Sequence, residues 1–458
     1  MVSNLSASIE REKIVRMKEI LKKIHEGVSI DKLREEFRDL LKLVEPWEIP
    51  LIEQELVKEG TPIEEITKLC DLHVELFREF VAGRLNIDVF PEGHPLRTLF
   101  EENMAFMRDL ETLNLYFAAF INAKESAQKQ TWLEKIREFL REMKSFKKHF
   151  AKSQMLLFPY LERLGITAVP KVLWTKQDEV LFKLKSLIKL FSQELPEIEK
   201  SIAQIREALN DFVRTANDMI FRENNIFFPT MAVILSDAEW YAVKLQEDRI
   251  GHYKLTPAEY RPDVEPIYPF QFKKELSPEQ LEKLPPEFKK MALALAVKPD
   301  YYEVKREGDI ELDLGFLSIR ELNAIFKALP IEITFVGADG RTRYIVNKDE
   351  QIFVRTPSVI GRKVEFCHPP RSIDIVLRIV KSFKEGRDKP AVFWAKVGDK
   401  TIYVSYIPVR DENGELLGIL EVVQDLTEIK KIIESGKIPY FDVSKFIERK
   451  MSKKDETE

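Results

Sequence analysis

The sequence predicts a multidomain protein: an all-α N-terminal domain and an antiparallel four-helix bundle, followed by an α+β domain built on an antiparallel sheet. Three observations lead there. The chain has 458 residues, more than one ordinary hydrophobic core organises, and about three domains are expected. Apolar residues recur at three- and four-residue steps from Ile14 onward, through Met17, Leu21 and Ile24, which is the spacing of a buried helix face. From about residue 318 that period gives way to strand-like alternation, as in TIYVSYIPV.

In chain order, residues 1–85 read as a helical domain. The patterns DKLREEFRDLLKLV, IPLIEQELVKEG and IEEITKLCDLHVELFREFV are separated by turns at Pro46, Pro50 and Gly60-Thr61-Pro62. Residues 86–250 hold four long helices, at about 95–123, 129–163, 175–209 and 211–234, whose short connections imply antiparallel neighbours. A turn around Gly165 separates the second from the third. Prolines crowd residues 251–317, which read as a surface-hugging linker with one short helix and a hairpin, YYEVKREGDIELDLG. Residues 318–433 form the α+β domain, with turns at Asp339-Gly340 and Asn413-Gly414, and residues 434–458 are a charged tail.

A hydrophobic fraction of 44% and a charged fraction of 33% describe a globular rather than a disordered chain. The 72 basic and 77 acidic residues sum to -5, leaving no general attraction for nucleic acid. No run of about eighteen apolar residues and no signal peptide is visible, so no membrane contact and a cytoplasmic location are expected. Two cysteines far apart, Cys70 and Cys367, fit a reducing compartment. The pattern Cys70-x-x-His73, with His25 nearby, is a lone pair of soft donors that also fits an apolar helix face, and buried structural residues are the expected reading.

The bundle contains a repeat. HFAKSQMLLFP from His149 returns about seventy residues later as MIFRENNIFFP from Met219, each copy ending in Phe-Pro. Together with GHPLRTLFEEN and WTKQDE these stretches resemble the hemerythrin HHE domain, a four-helix bundle that commonly holds two non-haem irons. The segment before it, with LKKIHEGVSIDKLREEF and LCDLHVELF, resembles the domain of unknown function family 438. The resemblance implies a metal site, and the surviving positions are His94, His149 and Glu223, with Asp178 or Glu179 as further candidates. His-x-x-x-Glu spacing puts an imidazole and a carboxylate on one helix face, and here the pairs are broken. Ser153 and Gln154 follow His149, Met219 and Asn224 flank Glu223, and Gln177 stands where the family usually has histidine. Three remaining donors could hold a single iron or zinc but would struggle to bridge two irons. The same residues also fit a core without metal, His94 capping the first helix and His149 hydrogen-bonded beside Phe139, Met143, Phe146 and Phe150. That reading is preferred, and a stoichiometric diiron centre is not expected.

The stretches ALPIEITFVGADGRTRYIV, SIDIVLRIVKSFKEG and EVVQDLTEI run in the order of a PAS domain, which the region of about 318–430 resembles. The resemblance implies a five-stranded sheet and short helices around a ligand cavity. Cys367 and His368, ahead of a helix that Pro369 or Pro370 can begin, are the candidate ligands for haem, a metal or another small molecule. Phe353, Phe366, Phe393, Trp394, Tyr403 and Tyr406 could line a pocket or fill a solid core.

No G-x-S-x-G, Walker or H-E-x-x-H pattern is present, and an enzyme is not expected. The chain reads first as a cytoplasmic sensor or regulatory protein whose PAS domain and degenerate bundle sense a small ligand, redox state or metal and alter contacts with another protein or a second copy. An iron- or oxygen/nitric-oxide-handling metalloprotein and a scaffold without ligand are the alternatives.

Overall fold

The computed structural model describes residues 85–272 and 303–436, apart from 347, 349, 350 and 369, and, before residue 85, the stretch 16–42 apart from 18 and 25, with 49, 56 and 60. The chain divides into two units, Met1–Glu303 and Val304–Glu458. Cys70, His73, His25, the short linker helix and the charged tail from residue 437 onward lie outside the described residues.

In the first unit, helices α1 (Ile30–Glu36) and α2 (Arg38–Leu41) follow the predicted apolar pattern. Ser29 caps α1 by accepting from Lys32 N–H. Met17, Ile20, Leu21, Ile24, Leu33 and Leu41 form a small core that also takes in Val172 and Ile226 of the bundle.

The bundle starts with α3 (Pro95–Asn122) and α4 (Ser126–Met143). The second predicted helix is interrupted: after α4 come α5 (Lys147–Lys152), a π-helical turn at Ser153–Leu157 and α6 (Phe158–Arg163). Next come α7 (Ala168–Phe191), the short α8 (Leu195–Lys200) and α9 (Ile202–Arg222). A second π turn at Glu223–Phe227 leads to α10 (Phe228–Ile234). The break between the third and fourth long helices falls at residues 192–201, not near 210. Pro196 sits in the first turn of α8 and could not continue α7, whereas Leu209 and Phe212 belong to one continuous buried stripe with Ile205, Ala216 and Met219. A further helix, α11 (Asp237–Ile250), opens on a Ser236/Glu239 capping box.

The two π turns explain the repeat. Pro159 and Pro229 lack an N–H and crowd the carbonyl four residues back, so each helix widens ahead of its proline. Phe158 N–H bonds the Ser153 carbonyl and Phe228 N–H bonds the Glu223 carbonyl, five residues back in both copies. Each extra residue turns the helix register by about 100°. The two copies then bury matching positions, among them His149 and Met219, Lys152 and Arg222, and Ser153 and Glu223.

Residues 251–272 run along the surface as predicted, half-buried or exposed, except that two rings anchor them in the core. Tyr253 is fully buried against Phe106 and Phe146, and Phe272 packs edge-on against Tyr160, whose hydroxyl donates to Ile267 O at 2.7 Å. Burying each such ring contributes about 1.5–3 kcal/mol, enough to hold a proline-rich strand that makes few backbone bonds of its own. Gly93, at φ +78°, faces the same strand so closely that a Cβ would meet Ala258 O at 2.3 Å.

In the second unit a hairpin forms as β1 (Asp309–Leu312) and β2 (Gly315–Ser318), but it turns at 313–314 and not around Glu307-Gly308-Asp309, the centre of the 301–315 stretch predicted as the hairpin. Helix α12 (Ile319–Ala328) follows, capped by Ser318 and Glu321. The sheet contains β3 (Glu332–Gly337), β4 (Thr342–Ile345), β5 (Ala391–Val397), β6 (Lys400–Arg410) and β7 (Leu416–Asp425), with α13 (Pro370–Lys384) between β4 and β5 and α14 (Thr427–Glu434) after β7. All pairings are antiparallel in the order β4-β3-β7-β6-β5. Gly340 and Gly414 take positive φ in the two predicted turns. Ile379 and Phe383 of α13 pack on Ala391 and Ile419, which fixes the covered face of the sheet.

Candidate functional site

The bundle's interior holds a cluster of charged side chains from α3, α5 and the second π turn, none more than 1% exposed. Those side chains are Glu102, His149, Lys152 and Glu223. His149 Nδ1 lies 2.8 Å from Glu102 Oε2, and Nε2 lies 2.9 Å from Glu223 Oε2. Carboxylate oxygens accept only, so both ring nitrogens donate and the ring is an imidazolium. Burial pulls the His149 pKa down, but the neighbouring Glu223 and Glu102 outweigh it and the net shift is upward. Burial pushes Glu102 the other way, and its bond to His149 overcomes this, holding the carboxyl well below its usual range.

Lys152 Nζ donates to Glu102 Oε1 at 2.6 Å and to His252 Nδ1 at 3.2 Å. Tyr253 N–H adds a second bond to Glu102 Oε1 at 2.9 Å. Glu223 is saturated as well: Oε1 accepts from Gln177 at 3.0 Å, and Oε2 accepts from Asn103 at 3.0 Å besides His149. Gln154 donates to Gln177 at 2.8 Å. The buried Ser153 Oγ and Asn103 Oδ1 have no hydrogen-bond partner.

Of the metal ligands proposed from sequence, only His149 and Glu223 meet. His94 is the N-cap of α3, its Nδ1 accepting from Leu96 N–H at 3.1 Å among Phe90, Trp240 and Tyr260. Burial pushes its pKa down to about 4. A neutral nitrogen committed to capping serves the helix rather than a metal. Glu179 pairs with Lys176 and Lys183 at 3.3 and 3.0 Å, and Asp178 is exposed, so neither joins the cluster. On α7 it is Gln177, not its two neighbours, that is buried toward the cluster. Glu102, Lys152 and Tyr253 were missed. The signal available was Lys152 falling on the same helix face as His149, three residues on.

The donor set does not fit a diiron centre. Two carboxylates are offset by an imidazolium and an ammonium, and their oxygens already accept five hydrogen bonds from Lys152, Tyr253, Gln177, Asn103 and His149, with a sixth contact from His149 to Glu102. A second donor group, Glu247, Asp248 and His252, has ligand atoms within 4.8 Å of one another. There Lys244 lies 2.7 Å from Glu247 and Lys152 3.2 Å from His252, so two cations already occupy the place of one.

The C-terminal unit carries a second polar cluster on the covered face of its sheet. Arg355 donates to Glu421 at 2.6 Å and reaches Glu332 at 3.5 Å, and the Tyr406 hydroxyl donates to Glu421 at 3.1 Å. Glu332 also accepts from the Ile352 and Phe353 backbone. Glu332 and Glu421 come from neighbouring strands, with Tyr406 directly across from Glu421. His368 is half-buried within the electrostatic reach of Glu421 and Arg355, and burial lowers its pKa. Cys367 is exposed and turns its thiol to Lys363 O at 3.5 Å, so the two do not act as a ligand pair. Trp394 pairs with Tyr403 across the sheet, in strand positions that alternate with those of Phe393 and Tyr406. Phe366 is 61% exposed. The six aromatic residues therefore do not line one pocket. A charged trio beside His368 suits a small polar ligand better than an apolar haem macrocycle.

Three family models match the chain in order: the family of unknown function DUF438 at residues 17–83, the hemerythrin HHE cation binding domain at 94–231 and a PAS domain at 322–427. Among solved structures, a C-terminal domain from Streptococcus mutans is 37% identical, covering 28% of this chain and 99% of that one at a TM-score of 0.26. The PAS domain of a protein from Colwellia psychrerythraea is 18% identical, covering 24% and 98% at 0.20. A sensory box sensor histidine kinase from Vibrio cholerae is 14% identical, covering 24% and 90% at 0.19. No curated protein matches the chain. Among the described residues no single helix is long and apolar enough to cross a membrane. The chain joins a DUF438 domain, a hemerythrin HHE domain and a PAS domain in that order, a combination that suggests a sensor or regulatory role.

Proposed function

We propose that the chain is a regulatory sensor without catalytic activity of its own, in which the PAS domain takes a small polar ligand and the helical domains alter contacts with another protein or a second copy. The carrying observation is the Glu332–Arg355–Glu421–Tyr406 cluster beside His368. Two carboxylates against one guanidinium leave one negative charge, so the favoured ligand presents hydrogen-bond donors or a protonated amine. Such a ligand competes with Arg355 for Glu421 and frees a side chain that now ties the loop before His368 to the sheet. A signal passes only if the ligand prefers one of these two arrangements.

The test is native mass spectrometry of the full chain against cell extract, followed by hydrogen exchange over residues 1–250 with and without the captured compound. Binding that is lost in Glu421→Gln and kept in Arg355→Met, with altered protection in the helical domains, supports the reading. Capture of nothing, or a ligand that leaves that protection unchanged, removes it and puts the scaffold ahead. The metalloprotein alternative gains no support from a donor set that supplies its own cations.

A further inference from the structure

The hemerythrin match names a cation-binding domain, and the cluster at its centre already contains cations. We propose that Lys152 is the bundle's built-in cation: its ammonium takes the charge-balancing place of a metal ion, and the site thereby excludes divalent metals. This stands apart from the PAS reading and does not rest on it.

The repeat supplies the argument. At the position where the second copy buries Glu223, the first buries Ser153, so one carboxylate has been replaced by a hydroxyl whose oxygen is left without a partner. The adjacent Lys152 does not extend to solvent but stays 1% exposed and reaches Glu102 at 2.6 Å. A lysine is almost never fully buried unless paired, because stripping water from an ammonium costs several kcal/mol. Here the pairing is complete on both sides. Glu102 and Glu223 carry two negative charges, and Lys152 and the doubly bonded His149 carry two positive charges. A divalent ion entering this sealed site would add two uncompensated charges. It would also have to displace the hydrogen bonds that Tyr253, Asn103 and Gln177 make to the same oxygens. Other groups facing Lys152 reinforce the balance: His252 Nδ1 accepts from its ammonium, and His252 Nε2 in turn donates to Asp248 at 2.9 Å.

The test uses the full chain and Co²⁺, whose visible absorption reports coordination. Wild type and Lys152→Arg are expected to show no band that depends on Glu223, whereas Lys152→Met should bind Co²⁺ at least a hundredfold more tightly than wild type, with a band lost in Lys152→Met/Glu223→Gln. Co²⁺ should also raise the melting temperature of Lys152→Met and leave that of wild type unchanged. Wild-type binding of one or more ions that disappears in Glu223→Gln would overturn the proposal, as would a folded Lys152→Met with no gain. If Lys152→Met cannot be purified folded, the wild-type titration decides alone, a Glu223-dependent band overturning the proposal and its absence supporting it.

Discussion

The bundle and the PAS domain each bury two glutamates around a basic side chain, yet the two clusters differ in what encloses them. In the bundle, Glu102 and Glu223 are fully buried and every oxygen is committed. In the PAS domain, Arg355 keeps 19% of its side chain exposed, and its contact with Glu332 is 3.5 Å long. The first is held by helices that cannot move without breaking a packed core, and the second by a loop against a sheet. The same charge pattern is therefore a fixed structural element in one place and a rearrangeable one in the other.

Four measurements press on that difference, the largest effect first. Glu102→Ala removes the carboxylate that Lys152 and the His149 imidazolium share, leaving two buried cations to the single charge of Glu223, and should cost about 3–5 kcal/mol in urea unfolding. A loss under 1 kcal/mol would show that the cluster is not sealed. The second is a pH profile. His94 has its pKa lowered to about 4 from 6.5, so the folded state prefers it neutral. Its contribution is present above pH 6.5 and is lost as pH falls through that value toward 4, on the order of 3 kcal/mol in all. Glu102, depressed in the fold, adds an acid loss only below its ordinary carboxyl range, near 4.5, and raised His149 adds a loss on the alkaline side. His94→Asn keeps a cap and should flatten the 6.5-to-4 limb; an unchanged limb refutes the assignment.

Third, Arg355→Met in the PAS domain should cost about 1–3 kcal/mol, less than the bundle variant because water can reach the glutamates it leaves behind. Calorimetry that resolves the two transitions reads it, and a cost equal to that of Glu102→Ala would erase the contrast drawn above. The smallest effect belongs to Cys367→Ser, which should fall within about 0.5 kcal/mol because the thiol is exposed and makes one weak bond. A larger shift would mean that Cys367 takes part in the PAS site.

Much of the fold was legible in local pattern. The period of apolar residues gave the helices, and Asp339-Gly340 and Asn413-Gly414 gave hairpin turns, because these depend on neighbours a few residues away. The helix break at 192–201 was misplaced because Ser192 and Gln193 carry little stop signal, and Pro196 is compatible with a helix start as much as with an end. The packing of residues 251–272 was not legible either, since prolines mark an extended chain and do not say whether its aromatic residues find a groove.

For the site, the sequence by itself determined which residues were lost: Ser153, Gln154, Gln177 and Met219 cannot supply the charges of a dinuclear centre, whatever their arrangement. It also determined that His149 and Glu223 belong to a repeated unit. What only the tertiary structure decided is which side chains converge. Two π turns, each set by a proline's missing N–H, accompany the phase at which α5 and α9 bring Lys152 to Glu102, fifty positions apart in sequence, and His149 to Glu223, while Phe90, Trp240 and Tyr260 hold His94 as the cap of α3. A lysine reads as solvated from sequence because its default partner is water. Only the packed bundle, with Glu102 and Tyr253 closing around it, turns that lysine into the cation of the core.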